Sequence, residues 1–194
     1  SGEYRCIVPD HVGCGLSDRP SDTQYGYTLN DRLNNIGHLI EAMDLDDITL
    51  VVHDWGGAIG MGTALRYPDQ VKRLILFNTA AFNGPVPKSI QMCMWPGWGD
   101  FVVRGLNGFV RAGFQRGFAD KKNVTSALKA GYLAPYHSWA SRIAVHRFVQ
   151  DIPMTEDHPT WRTINAIDNG LEQLKDLPQL LMWGNDDFCF TPEF

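Results

Sequence analysis

A chain of 194 residues, 44% of them hydrophobic, is long enough for one globular domain with a buried core. Its formal net charge of −5 gives no reason to expect nucleic acid as a partner, and no apolar run approaches membrane-spanning length. The four cysteines lack the spacing of metal or redox motifs. We therefore interpret them as reduced thiols of a cytoplasmic protein, and we expect no metal and no cofactor.

Short apolar runs alternate with helical patterns in the first part of the chain. Two helical patterns, Leu29 to Met43 and Ile59 to Tyr67, separate the first three runs. Such alternation predicts an α/β fold in which a parallel sheet carries helices on both faces. The predicted strands are residues 4–8, 48–52, 72–77 and 178–183.

The alternation stops between Asn83 and Thr160, in a stretch rich in aromatic residues, Arg, Pro and Gly. We interpret residues 83–160 as an inserted helical cap, called the cap segment below. Residues 1–82 and 161–194 are then the first and the returning part of the α/β core, and residues 161–176 are predicted to form a core helix.

Two stretches of the cap segment admit two interpretations each. A helix from Phe101 to Phe118 is either a basic amphipathic helix for a membrane surface or a partner, or a helix that packs inward with its arginines in solvent. The run from Met92 to Trp98 either lines an apolar substrate tunnel or fills the core of the cap segment.

The most informative motif is VVHDWGG at residues 51–57, between a predicted strand and a predicted helix. A strand, a sharp turn and a helix are the setting of a nucleophile elbow, which exposes one side chain. That side chain is Asp54, whose carboxylate attacks carbon to give an ester without a base to activate it. Gly56 and Gly57 keep side chains out of the contact between helix and strand, and the helix N-terminus favours an anion there. The alternative is a surface aspartate that caps an ordinary helix.

With this motif the chain resembles the α/β-hydrolase superfamily, and in particular its haloalkane dehalogenase-like branch. The resemblance is carried by the loop at residues 10–18, the elbow at residues 52–57, Asn78, and the run at residues 183–187. Epoxide hydrolases and fluoroacetate dehalogenases typically have Gly two residues before the nucleophile, whereas this chain has Val52, as haloalkane dehalogenases do.

The resemblance implies a role for each matching residue. Asp54 is the nucleophile that displaces a leaving group from sp³ carbon, and Trp55 donates its indole N–H to that group. Asp187 is the acid that orients a catalytic histidine. Asp186 competes for this role, but the Gly-x-x-Asp spacing favours Asp187. One subfamily places the acid after the preceding strand, where this chain has Asn78, which cannot be an anion.

The cap segment resembles that of bacterial β-lactone decarboxylases, which act in long-chain olefin biosynthesis. The resemblance is carried by residues 104–107, 131–136 and 147–153. It implies a β-lactone with two long alkyl arms as substrate, an alkene and CO₂ as products, and partner enzymes of the same pathway. Three functions stay open: dehalogenase-like hydrolysis through an ester on Asp54, β-lactone decarboxylation, and binding by a non-catalytic hydrolase fold. The first two act on a small apolar or long-chain substrate, without stable membrane insertion.

The same resemblance places the catalytic histidine after the last strand of the fold, beyond Phe194. The six histidines present do not match it: His53 precedes the nucleophile, and His11 lies in the first loop, where the family has no base. We therefore expect this chain to be an internal fragment, inactive by itself and capable of one covalent event on Asp54 at most.

Overall fold

The computed structural model describes residues 2–192, apart from the side chain of Lys121. Within these residues the sheet has three parallel strands, in the order β1 (Ile48–Asp54), β2 (Val71–Thr79) and β3 (Gln179–Met182). These strands confirm three of the four predicted apolar runs. The carboxyl ends of the three strands meet at one edge, where ligand sites of parallel sheets form.

The α-helices occupy the segments between and after the strands. They are α1 (Leu29–Ala42), α2 (Trp55–Arg66), α3 (Lys88–Met94), α4 (Gly108–Arg116), α5 (Ser126–Leu133), α6 (Ile143–Gln150) and α7 (Trp161–Gly170). The helix predicted over residues 161–176 is thus α7, followed by a 3₁₀ turn at Leu171–Leu174.

Helix α1 begins where the sequence predicts it because Thr28 and Asp31 form a capping box. Its apolar stripe, which includes Leu29, Leu33 and Ile40, is buried. Both α1 and α7 pack on α2, which lies directly on β1 and β2. Glycines in α2 permit these close contacts: a Cβ on Gly60 would lie 2.4 Å from Val52 Cγ1.

The predicted strand at residues 4–8 is wrong. The structure assigns no strand there, and Tyr4 and Val8 are 67% and 92% exposed. An apolar run becomes a strand only where a neighbouring strand completes its hydrogen-bond ladder, and among residues 2–192 none pairs with this segment.

Helices cover mainly one face of the sheet within the described residues. Val51, Ile75 and Leu180 form a cross-strand row on the opposite face. Val51 and Leu180 in this row are exposed. Within the described residues, the predicted helices therefore cover the face of the sheet on which α2 packs.

Throughout the cap segment, all of which the structure describes apart from the Lys121 side chain, there are helices and turns but no strand. The single helix predicted from Phe101 to Phe118 is wrong, because a π-helical turn at Asp100–Gly105 and α4 are separate elements. Asn107 lies between them with a left-handed φ of 55°, and its buried amide donates to the carbonyl of Tyr136. No helix among residues 2–192 has the length and apolar character needed to cross a bilayer.

Candidate active site

Asp54 stands at the turn that joins β1 to α2, as the elbow motif predicts. Its φ of 54° and ψ of −127° are strained for a residue with a side chain, and α2 begins at the next residue, Trp55. The hydroxyl of Thr79, at the end of β2, donates a hydrogen bond to the carbonyl of Asp54. The sheet itself therefore holds the backbone of the turn in this conformation.

The two glycines of the elbow are not equivalent. A Cβ on Gly57 would lie 1.9 Å from the Thr79 hydroxyl oxygen, so no side chain fits there. A Cβ on Gly56 would meet only Val52, at an ordinary distance of 3.6 Å. The predicted steric role is confirmed for Gly57 and wrong for Gly56.

The Asp54 side chain is half-buried. Its burial raises its pKa above the usual value, and the charge of nearby Asp187 raises it further. His53 and the backbone N–H of Trp55 act in the opposite direction. This N–H belongs to the first residue of α2, where a helix N-terminus stabilises an anion. A poorly hydrated carboxylate in this setting is suited to attack carbon.

A cavity of about 180 Å³ opens above Asp54 and Trp55. Most of its lining is apolar and comes from the cap segment and from the loops at the carboxyl edge of the sheet. Besides Asp54 and Trp55, the lining includes Ala58, Phe82, Pro85, Val86, Ile90, Phe109, Phe148, Val149, Ile152, Pro153, Thr160, Ile164, Cys189 and Phe190. The site therefore combines one carboxyl nucleophile with space for an apolar molecule.

The indole of Trp55 lines this cavity and packs on Phe148, with ring centroids 5.7 Å apart. Among residues 2–192 the indole N–H of Trp55 has no hydrogen-bond partner. A donor so placed beside the nucleophile is free to bind a leaving group or an oxyanion.

Asp187 lies in the loop that follows β3 and is held by that loop. Its Oδ1 accepts hydrogen bonds from the backbone N–H groups of Cys189, at 2.7 Å, and Phe190, at 2.8 Å. Asp186 is exposed. Asp187 is near enough to Asp54 for its charge to raise the pKa of that carboxyl group.

Cys189 and Phe190 line the cavity, although sequence reasoning missed both. Burial, with the charges of Asp54 and Asp187, raises the pKa of the Cys189 thiol to about 12, so it is neutral at pH 7. Their position a few residues after a strand at the carboxyl edge of the sheet is the one signal that could have found them.

Histidines lie around the site rather than in it. Among the described residues none of the six lines the cavity. The ring of His11 lies next to Phe148, a residue of the lining, with 6.0 Å between the two ring centroids. Burial, with the charge of Arg32, lowers the pKa of His11 to about 4, so its ring is neutral at pH 7. The expectation that this chain lacks its catalytic base stays a prediction.

Phe148 lines the cavity and also contacts the buried guanidinium of Arg32. Arg32 of α1 has no exposed surface, and its guanidinium carbon lies 3.3 Å from the centroid of the Phe148 ring. Behind it, the carboxylate of Asp151 accepts hydrogen bonds from the backbone N–H of Leu29 and the hydroxyl of Thr160. Burial raises the pKa of Asp151 to about 6.

No group of three or more His, Cys, Asp or Glu side chains in the described part of the chain is arranged to hold a metal ion.

Curated relatives match nearly the whole length of this chain. Cis-3-alkyl-4-alkyloxetan-2-one decarboxylase of Shewanella oneidensis is 41% identical over 196 residues, which cover 98% of this chain and 61% of the relative. The enzyme of that name from Xanthomonas campestris is 39% identical, over 100% of this chain and 67% of the relative. Haloalkane dehalogenase 2 of Mycobacterium tuberculosis is 27% identical, over 98% of this chain and 64% of the relative. The chain thus spans between 61% and 67% of the length of these relatives.

Solved structures agree on the fold. A DbjA variant superposes with a TM-score of 0.83 at 25% identity, over 97% of this chain and 67% of that one. Haloalkane dehalogenase DbeA of Bradyrhizobium elkani gives a TM-score of 0.79, over 93% of this chain and 63% of that one. Because the two sequences are only 24% identical, this similarity supports the fold alone. The sequence model of the family described as alpha/beta hydrolase fold matches residues 1–194. The chain belongs to the α/β-hydrolase fold family, with relatives among the oxetanone decarboxylases and the haloalkane dehalogenases.

Proposed function

We propose that the full-length protein is an enzyme that uses Asp54 to open a 3,4-dialkyl-oxetan-2-one, which is a β-lactone, and releases an alkene and CO₂. The observation that carries this proposal is the half-buried carboxyl group of Asp54 on a strained turn beneath an apolar cavity. The substrate class is supported by the names of the two relatives at 41% and 39% identity.

The reaction that fits this site has two steps. The Asp54 carboxylate attacks C4 of the ring, the C4–O bond breaks, and the ring oxygen leaves as part of a carboxylate on C3. That carboxylate then loses CO₂, its electrons form the C3–C4 double bond, and Asp54 leaves C4 as a carboxylate. All atoms of the lactone leave as alkene and CO₂, and no water is consumed.

Three further residues have proposed roles in these steps. Trp55 donates its indole N–H to the departing carboxylate oxygen. Asp187 is the acid whose partner is a histidine outside this chain. Thr79 and the sheet keep Asp54 in its strained position.

Haloalkane hydrolysis is the second candidate function, and the unpartnered indole N–H of Trp55 favours it as a halide ligand. In that reaction Asp54 displaces halide from carbon, and water must then hydrolyse the ester. The two functions thus differ in whether solvent oxygen enters the Asp54 carboxylate.

The test uses the full-length protein with a long-chain cis-3,4-dialkyl-oxetan-2-one and, separately, with 1,2-dibromoethane. We expect alkene release from the lactone, and a loss of about a thousandfold or more in Asp54→Asn. The control variant Asp186→Asn changes an exposed carboxylate in the neighbouring loop and retains activity. After turnover of the lactone in ¹⁸O-water, mass spectrometry should find no ¹⁸O in the peptide that contains Asp54.

Other outcomes support other functions. Halide release without alkene release, accompanied by ¹⁸O in Asp54, supports the haloalkane hydrolase. Binding of the lactone without either product supports a non-catalytic binding protein.

The same proposal includes the organisation and setting of the protein. We propose that residues 1–82 and 161–194 form the core and residues 83–160 the cap, because the lining of the cavity comes from both. Free thiols at all four cysteines support a reducing compartment such as the cytoplasm. Partner enzymes of the same pathway stay a prediction of the resemblance.

A further inference from the structure

Charge is distributed unevenly along the chain. From residue 83 to the end of α6 at Gln150 there are nine Lys and Arg residues, two Asp and no Glu. The rest of the chain has eight basic and twenty acidic residues. A protein whose net charge is −5 thus carries a strongly basic region within its cap segment.

The same region exposes large apolar side chains. Trp95, Trp98, Phe101, Leu106 and Trp139 are each between 48% and 59% exposed, and we call them the aromatic patch. The interpretation of Met92 to Trp98 as tunnel lining is wrong, because none of these residues lines the cavity. The interpretation as cap core is wrong for Met92, Trp95 and Trp98, which are exposed, whereas Cys93 and Met94 are half-buried.

Contacts show that these side chains share one surface. The rings of Trp98 and Phe101 have centroids 6.2 Å apart. Phe101 and Trp139 both lie beside Gly105, since a Cβ on Gly105 would lie 3.5 Å from Phe101 and 3.8 Å from Trp139. Leu106 follows directly and donates its N–H to the carbonyl of Phe101. Trp98, Phe101 and Trp139 therefore lie close together, although Trp139 is distant from the other two in sequence.

Arginines lie within and beside the aromatic patch. The guanidinium of Arg104 lies over the Trp139 ring, 4.7 Å from its centroid. Arg142 donates to the carbonyl of Gly105 at 3.1 Å, and the charge of Arg111 is close enough to help lower the pKa of Arg142, after the larger effect of burial. Arg111 itself is exposed.

The acidic residues near this surface contact other groups. The carboxylate of Asp22 forms an ion pair with Arg147, and the charge of Arg104 also helps to lower the pKa of Asp22. The carboxylate of Asp100 lies 3.4 Å from Nδ1 of His146, and it also accepts a hydrogen bond from the backbone N–H of Gly97. The surface therefore combines Trp and Phe rings with cationic guanidinium groups.

We propose that the aromatic patch and its arginines rest on the surface of a membrane that contains anionic lipids. Trp and Phe side chains favour the headgroup region of a bilayer, and Arg pairs with lipid phosphates. A basic region on an otherwise acidic protein also orients the molecule, since the remaining surface is repelled by the same lipids. The contact is peripheral, with no segment inserted across the bilayer.

Helix α3 joins the aromatic patch to the cavity, so a membrane contact at the patch would bring the cavity close to the lipids. Helix α3 directs Ile90 into the cavity above Asp54, and Trp95, the residue that follows its last turn, belongs to the aromatic patch. A molecule with two long alkyl arms, as proposed for the substrate, dissolves in bilayers rather than in water. The membrane contact itself does not depend on which reaction Asp54 performs.

The test is flotation of the full-length protein with vesicles, in the absence of any substrate. We expect binding to phosphatidylcholine vesicles that contain phosphatidylglycerol, and at least about tenfold weaker binding to phosphatidylcholine alone. Because surface electrostatics is screened by salt, about 1 M salt should weaken the binding strongly.

Two variants address the two components of the surface. Arg111→Glu reverses one charge and should weaken binding about thirtyfold, given the contribution of each cation near an anionic surface. Trp98→Ser combined with Phe101→Ser should weaken it at least about tenfold at either salt concentration. Arg162→Glu makes the matched charge change at an exposed position of α7, outside the basic region, and should leave binding unchanged.

Three results would overturn the proposal. These are equal binding to neutral and anionic vesicles, unchanged binding in the Trp98 and Phe101 double variant, and equal losses in Arg111→Glu and Arg162→Glu. A protein that binds no vesicles but is retained by an acidic partner protein also contradicts it. Because no reaction is measured, these results are independent of whether the lactone is a substrate.

Discussion

Asn78 and Gly184 exchange two hydrogen bonds across the carboxyl edge of the sheet. The Asn78 side chain donates from Nδ2 to the carbonyl of Gly184 at 2.9 Å, and its Oδ1 accepts from the Gly184 N–H at 2.8 Å. The same Nδ2 donates to the carbonyl of Phe190 at 3.0 Å. One buried amide thus fixes both ends of the loop that contains Asp187 and Cys189.

Asn78→Asp should disturb this loop because an ionised carboxylate cannot donate to the carbonyls of Gly184 and Phe190. We expect a loss of about 2–3 kcal/mol in the free energy of unfolding, since two carbonyl acceptors then lose their donor and face an anion. Urea unfolding measures the loss, and proteolysis within residues 184–190 should become faster. Asn185→Asp adds the same charge at an exposed position of that loop and serves as the control. Equal behaviour of the two variants would contradict the structural role of Asn78.

Gly57 and Gly56 provide a matched pair at the elbow. Gly57→Ala places a Cβ against Thr79, so we expect about 2 kcal/mol of destabilisation or more and a loss of activity as the turn at Asp54 shifts. Gly56→Ala finds ordinary space and should change the free energy of unfolding by less than about 1 kcal/mol. Urea unfolding of both variants is the measurement. A larger loss in Gly56→Ala would mean that the turn is packed differently.

The elbow could be predicted from the sequence because its determinants are local. The apolar strand, the aspartate, the glycine against the strand and the helix follow one another within residues 48–66. The role of Asn78 could not be predicted, since its hydrogen-bond partners lie more than a hundred residues away. The sequence indicated only that an uncharged residue occupies a position where some relatives carry an acid.

The wrong predictions also concern features that depend on contacts distant in sequence. A strand at residues 4–8 requires a neighbour, and apolar character alone does not supply one. The amphipathic period across Phe101 to Phe118 continues through Asn107, although the backbone of this residue is left-handed. What the sequence missed in the cavity, above all Phe148 beside Trp55, depends on packing between the cap segment and the core.

Asp151 should make stability depend on pH. Its pKa is about 6 in the folded protein, against a usual value of 3.8, so the folded state binds more protons than the unfolded state between these values. Its contribution is fully present below about pH 4 and is lost as the pH rises through about 6, by up to about 3 kcal/mol. His11, with a pKa lowered to about 4, has the opposite sign. The measurement is therefore the difference in unfolding free energy between wild type and Asp151→Asn across this range. A difference that does not vary with pH contradicts the assignment.

Arg32 should be replaceable by an apolar side chain of similar length. Its Nε and Nη1 have no hydrogen-bond partner in the structure, so burying the guanidinium carries a desolvation penalty that its contact with Phe148 only partly offsets. Arg32→Ala leaves a cavity and should cost about 2–4 kcal/mol, whereas Arg32→Met keeps the packing and should cost about 1 kcal/mol or less. Urea unfolding separates the two.

Because the charge of Arg32 lowers the pKa of Asp151, removal of Arg32 should also extend the pH-dependent loss of stability above pH 6. If Arg32→Met were as unstable as Arg32→Ala, the charge of Arg32 rather than its volume would hold α1 against the cap segment.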